Sequence, residues 1–237
     1  MYGRNEYGTF SIVACDLDTG YWGVAVSTKP LSVGAVVPWA GWKVGALATQ
    51  ADTNYNYGPE GLALLRRGLS AAEVVRKLTR ADPKRDHRQL GVVDRRGRSA
   101  AWTGAKCLES ATHLAGEGFT CQGNLVASEE VVHAMARTFE GSRGPLASRL
   151  LRTLEAGYRK GGDRRGIESA ALLVVHREPW FDLAWGDRWS DLRVDQHRQP
   201  IRELGRILRI DQEQTRKMLR AHAERLRRAK ARRGRTP

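Results

Sequence analysis

Three cysteines in 237 residues, Cys15, Cys107 and Cys121, are too few and too irregularly spaced for a disulfide framework or a Cys-x-x-Cys zinc knuckle. Buried thiols are the simpler reading. No uncharged apolar run reaches the roughly 18 residues of a membrane span, and the opening MYGRNEYG lacks the charged-then-apolar layout of a secretory signal, so a cytoplasmic protein without a membrane anchor is expected. Also missing are GxGxxG after a strand, GxxxxGKS/T and HExxH, which disfavours a doubly wound nucleotide fold. His87, His113 and His197 have no metal-ligand spacing, and neither a metal nor another cofactor is implied. Aromatic residues are absent from Ile201 onwards, where 13 lysines and arginines face 4 acidic residues and supply +9 of the chain's +14. Such a polycation without stacking side chains contacts nucleic acid at most nonspecifically, and a solvated helix is the simpler reading.

A chain of this length with 41% hydrophobic residues builds one substantial core. Apolar alternation and short apolar runs predict strands near 9–15, 22–28, 33–38, 43–50, 89–94, 98–103, 118–122 and 169–176. The Asp/Gly clusters DLDTG and DRRGR join neighbours as antiparallel hairpins. Helices fall between the strand groups. Ser70 with Glu73 reads as a capping box, Pro145 as a first helical residue, and Gly161-Gly162 as a stop. YGPEGLALLRRG and SEEVVHAMARTF add two more, and beyond Ile201 a helix followed by a second one capped at Asp211 is expected. Strands in groups with helices segregated between them predict an α+β fold, two antiparallel sheets covered by helices.

The stretch EYGTFSIVACD puts Gly8-Thr9 at the head of the first strand. A threonine hydroxyl becomes a useful nucleophile when a base takes its proton, and its own α-amine serves when that residue is the N-terminus. Such a chain must first cut itself before Thr9, and Gly8 offers no side chain to crowd the attack. On the dipeptide alone, a β-branched residue opening a strand is the simpler reading.

Six ordered motifs change the balance. YGTFSIVACD, GVAVSTKPLSVGAVVPWA, KVGALATQADTNYNYGPEGLALLRRGLSAAEVV, HRQLGVVDRRGRSAAWTG, GEGFTCQGNLVASEEVVHAMARTFE and GGDRRGIESAALLVV with DLRVDQH resemble the bacterial and archaeal family called domain of unknown function 1028, over about residues 7 to 205. The resemblance implies an N-terminal nucleophile hydrolase fold, a four-layer αββα sandwich whose nucleophile opens the first strand. It divides the chain into a removable leader, 1–8, an enzyme-like domain, 9–200, and a basic helical tail, 201–237. Thr9 then matches the nucleophile, and its freed α-amine, with an ordinary pKa of about 7.7–8.0, is suited to act as base at neutral pH.

Around Thr9, Ser27 and Lys29 are expected on one face of the second strand with Thr28 opposite; a solvated turn is the plainer reading of Lys29. Gln50, in ATQADTNYNYG, and Asn124, in CQGN, are candidates to orient the nucleophile or hold developing negative charge. Asn54 and Asn56 serve equally as turn residues, and Asn124 equally as a structural bridge. Asp163, Arg165 and Ser169 in GGDRRGIES are candidates to bind substrate, Arg165 by a bidentate carboxylate contact; an Asp163 to Arg165 loop clamp is the competing reading. The expected activity is hydrolysis of a small-molecule or peptide amide. The alternatives are a noncatalytic small-molecule or peptide binding protein on the same fold, and nucleic-acid association through residues 201–237. Trp39 and Trp42, expected near a strand end and exposed, make a homodimer plausible.

Overall fold

The computed structural model describes residues 8–178, 180 and 186–233. Ten strands and five α-helices are found there. One sheet has the order β10-β9-β2-β1-β8-β7 and the other β3-β4-β5-β6, every pairing antiparallel. In chain order these are β1 (Thr9–Asp16), β2 (Tyr21–Thr28), β3 (Pro38–Gly41), β4 (Gly45–Ala51), β5 (Arg88–Asp94), β6 (Ser99–Thr103), β7 (Thr112–Gly116), β8 (Phe119–Asn124), β9 (Ser169–Val175) and β10 (Arg188–Val194). The helices are α1 (Tyr57–Arg66), α2 (Ala71–Ala81), α3 (Glu130–Gly141), α4 (Leu146–Arg159) and α5 (Pro200–Arg233). The fold is α+β with two antiparallel sheets.

The period of two along β1 splits its side chains between two cores. Phe10, Ile12 and Ala14 join Met135, Leu150, Leu154, Leu172 and Leu204 beneath α3, α4 and α5. Val13 and Cys15 face the other way and meet Val24, Val26, Ala46, Ala48, Val93 and Leu173 between the sheets. A third core, Leu47, Leu90 and Val92 against Leu65, Val74 and Leu78, seals α1 and α2 onto the second sheet. Each fully buried aliphatic side chain contributes about 1.5–3 kcal/mol.

Local chemistry explains the connections. In the β1–β2 hairpin Asp16 Oδ1 accepts the Thr19 amide at 3.2 Å, and Gly20 takes the left-handed φ of 73° that closes the turn. Ser70 and Glu73 form the expected capping box at the start of α2.

Four expectations are corrected. The run 33–38 is a single 3-10 turn, Val33–Ala35, before β3 begins at Pro38, and Gly34 is wedged against Ala171 and Arg193. Pro145 is the N-cap of α4, one position before the helix. Instead of two helices after Ile201 there is one, α5. Asp211 lies inside it and accepts the Ser190 hydroxyl at 2.6 Å rather than capping a new helix. Trp39 and Trp42 are half-buried against their own chain, Trp39 with its indole N–H on the Val36 carbonyl at 3.0 Å, which leaves the dimer expectation without its exposed tryptophan. No helix among the described residues is long and apolar enough to cross a membrane.

Candidate active site at the head of the first strand

The register between β1 and β2 places Thr9 opposite Thr28, and that between β1 and β8 places it opposite Asn124. Directly paired residues share a face, so Thr28 and not Ser27 accompanies Thr9 in the space between the sheets. This corrects the expected facing: Ser27 points to the helical side, and its hydroxyl donates to the Ser169 carbonyl at 2.9 Å. Thr9, 4% exposed, donates to Thr28 Oγ1 at 3.1 Å. The Thr28 hydroxyl in turn donates to the Gly8 carbonyl, in a short contact, and Arg165 Nη2 donates to the same oxygen at 3.2 Å. The carbonyl before Thr9 is thus held by a hydroxyl and a guanidinium, while the neighbouring hydroxyl bonds to the first of these donors.

Arg165 is aimed by Asp163. Its Nη2 and Nε meet the carboxylate at 2.7 and 3.1 Å, a bidentate clamp inside the loop after α4. Two of the three candidate substrate ligands are therefore each other's partners. The Asp163 side chain is fully buried and also accepts the Arg165 and Lys29 amides at 3.0 and 3.2 Å. The loop itself docks on the segment after β8, through Ala127 N to Gly162 O and Arg164 N to Leu125 O. Ser169 is spent on structure, its hydroxyl donating to Pro30 O at 2.6 Å and accepting the Val33 amide at 3.3 Å. Lys29 pairs with Glu168 at the surface rather than with Thr9.

Below Thr9 a buried amide network joins the sheets, and Gln89 on β5 is its hub. Gln89 Nε2 faces the main-chain carbonyls of Gly123 and Thr112 at 2.8 and 3.1 Å, which fixes which end is nitrogen. Its oxygen then accepts from Gln50 Nε2 at 2.7 Å and Asn124 Nδ2 at 2.9 Å. Gln50 Nε2 also reaches Thr9 O at 3.3 Å, and its oxygen accepts the Ser11 hydroxyl at 2.6 Å. Through this network Gln50 reaches the Thr9 carbonyl, whereas the Asn124 amide is turned to Gln89 and its Oδ1 is a buried acceptor without a partner among the described residues. Gln122 Nε2 completes the set by donating to Ser11 at 2.6 Å. Gly91 makes room opposite: a Cβ there would lie 2.3 Å from Gln122 Oε1. At the far end Thr103 Oγ1 accepts from Gln89 at 2.9 Å and lies 2.8 Å from His113 Nδ1. Burial lowers the pKa of this imidazole and keeps it neutral.

Thr28 and Gln89 are among the site residues that sequence reading did not select. A glutamine heading the apolar run LGVV of β5 was the available signal for the second.

Cysteine offers no rival nucleophile. Burial pushes the Cys15 thiol up to about 12 and Cys107 to about 11, and fully buried Cys121 lies well above the usual range.

The loop after Gln50 is braced from α2. Asp82 accepts Asn54 Nδ2 and Arg88 Nε, both at 2.9 Å, and the Lys84 amide at 2.8 Å. Burial raises the Asp82 pKa, but these bonds outweigh it and hold the carboxyl at about 2 against an ordinary 3.8. A depressed folded-state value stabilises the fold above the unfolded pKa and ceases to do so as pH falls through the folded one. Asp82 is therefore expected to contribute to acid unfolding between about pH 4 and pH 2. In urea titrations across that window Asp82→Asn should show a flatter pH dependence than the wild-type chain.

A cavity of 580 Å³ lies elsewhere, at the Asp16 end of β1 and under α5, with Tyr21, Leu146, Val174, Trp189 and Asp211 in its wall.

No curated protein matches the chain. Among solved structures, protein SPO2555 from Silicibacter pomeroyi, assigned to DUF1028, superposes with a TM-score of 0.76 at 32% identity, covering 85% of each chain. The sequence model of the family of unknown function DUF1028 matches residues 9–204, beginning at Thr9 itself. On both grounds the chain belongs to the DUF1028 family.

Proposed function

We propose that this protein is an amide hydrolase of the N-terminal nucleophile kind, with its two sheets and their helices forming that superfamily's αββα sandwich, and that it is activated by cutting its own chain between Gly8 and Thr9. The observation that carries the reading is the hydrogen-bond chain Thr9 Oγ1 to Thr28 Oγ1 to Gly8 O, with Arg165 on the same carbonyl. In the cut, Thr9 Oγ1 adds to the Gly8 carbonyl carbon. Thr28 takes the Thr9 proton while passing its own to the carbonyl oxygen, and Arg165 stabilises the charge that develops there. Collapse breaks the Gly8–Thr9 C–N bond, the nitrogen takes up a proton, and an ester on Thr9 Oγ1 remains. Water hydrolyses that ester, releasing the Gly8 carboxylate and leaving Thr9 with a free α-amine. In turnover the amine is the base for Thr9 Oγ1, while Gln50 and Asn124 orient the residue.

The test is intact mass and N-terminal sequence of the purified protein during incubation near neutral pH. A product beginning at Thr9 is expected; a chain that stays whole from its first residue overturns the proposal. The cavity beneath α5 favours a second reading, a binding protein without turnover. A ligand held there by a chain that is never cut would support it.

A further inference from the structure

Gly8 sits where the fold leaves no room for a side chain. Space is the obstacle. A Cβ on Gly8 would lie 2.8 Å from Asp163 Oδ1 and 2.9 Å from both Cγ and Oδ2. Such contacts are relieved cheaply when the neighbour is a free side-chain end, but the Asp163 side chain is fully buried and tied by four hydrogen bonds, two to the Arg165 side chain and two to the Arg165 and Lys29 amides. If it swung away, Arg165 would lose its aim at the Gly8 carbonyl. The wall and the oxyanion donor are mechanically one unit.

Resting on the reading above, self-cleavage and turnover share one nucleophile and one pair of carbonyl donors, so a substrate's acyl carbon and α-carbon must take the places of those of Gly8. We propose that the acyl subsite selects glycyl and N-acylglycyl amides, and that Asp163 is the residue that excludes an L-configured side chain on the acyl side.

The experiment uses the full chain. Self-cleavage of Gly8→Ala is compared with wild type by mass, and the matured wild-type protein is offered the p-nitrophenyl esters of N-acetylglycine and N-acetyl-L-alanine, each rate divided by its spontaneous hydrolysis. An over-packed methyl predicts a loss of roughly ten- to hundred-fold in both comparisons. In an Asp163→Ser background the ratio between Gly8 and Gly8→Ala chains should shrink; if that variant does not fold, the ester comparison decides alone. Equal use of the two esters by a protein that is cut normally overturns the subsite assignment and leaves the hydrolase reading standing, as does Gly8→Ala cleavage at the wild-type rate. A wild-type chain that is never cut removes both.

Discussion

Thr9→Ala is expected to leave the chain uncut for as long as it is incubated, and to abolish hydrolysis of any amide the wild-type protein turns over. The hydroxyl lost is the group that would form the new bond: the thiols are held protonated by burial, Ser27 points to the opposite face of the sheet, and the Thr28 hydroxyl is spent as a donor to the carbonyl oxygen. The variant should fold, because Thr9 makes one side-chain bond, to Thr28, and the alanine leaves no charge unpaired. Thr9→Ser keeps the oxygen and should still be cut, more slowly. Thr28→Val is the sharper companion, since it preserves shape while removing both the relay and one carbonyl donor; loss of a single oxyanion donor typically slows such a step about 10²- to 10³-fold. Quantifying the product that begins at Thr9 over time by mass orders the four proteins. A Thr9→Ala chain cut at the wild-type rate would dispose of the mechanism.

The second large effect falls on stability. Gln89→Leu should lower the unfolding free energy by about 3–5 kcal/mol, because it orphans several buried groups at once. Gln50 Nε2 and Asn124 Nδ2 lose their common acceptor, and the carbonyls of Thr112 and Gly123 lose a donor. In a protein of this size that corresponds to a fall in Tm on the order of 10 °C. Urea unfolding of the variant beside wild type measures it. A loss under about 1 kcal/mol would show that the network is not held together by its hub. Cleavage should suffer as well, since Gln50, which reaches the Thr9 carbonyl, takes its orientation from Gln89.

How much of this was readable beforehand depended on whether the cue was local. Hairpins announced by Asp and Gly, and helices announced by Ser70 and Glu73 or closed by Gly161-Gly162, were legible because their causes lie within a few residues. The strand head at Thr9 and the places of Gln50 and Asn124 beside it followed from the same cues joined to the family's motif order. Strand register is not local. A shift of one residue exchanges the two faces of β2, and that single step separates the expected Ser27 from the observed Thr28. β7 and β10 escaped notice for a related reason: THLAG is short, and RWSDLRV, at the edge of its sheet, mixes charge with apolar residues. The run 33–38 looked like a strand because it is apolar, yet its burial comes from a tight turn pressed on β9 and β10.

The three groups gathered around the Gly8 carbonyl come from distant parts of the chain. Thr28 arrives with the first hairpin, whereas Arg165, 157 residues after Gly8, and Asp163 arrive on a much later loop, seated only once the segment after β8 is in place. Closing so long a loop comes late in assembly. The cut would thus act as an inspection stamp: a chain that mispairs its strands or stops short of residue 165 never assembles the donors, keeps its leader, and is never released as an active hydrolase.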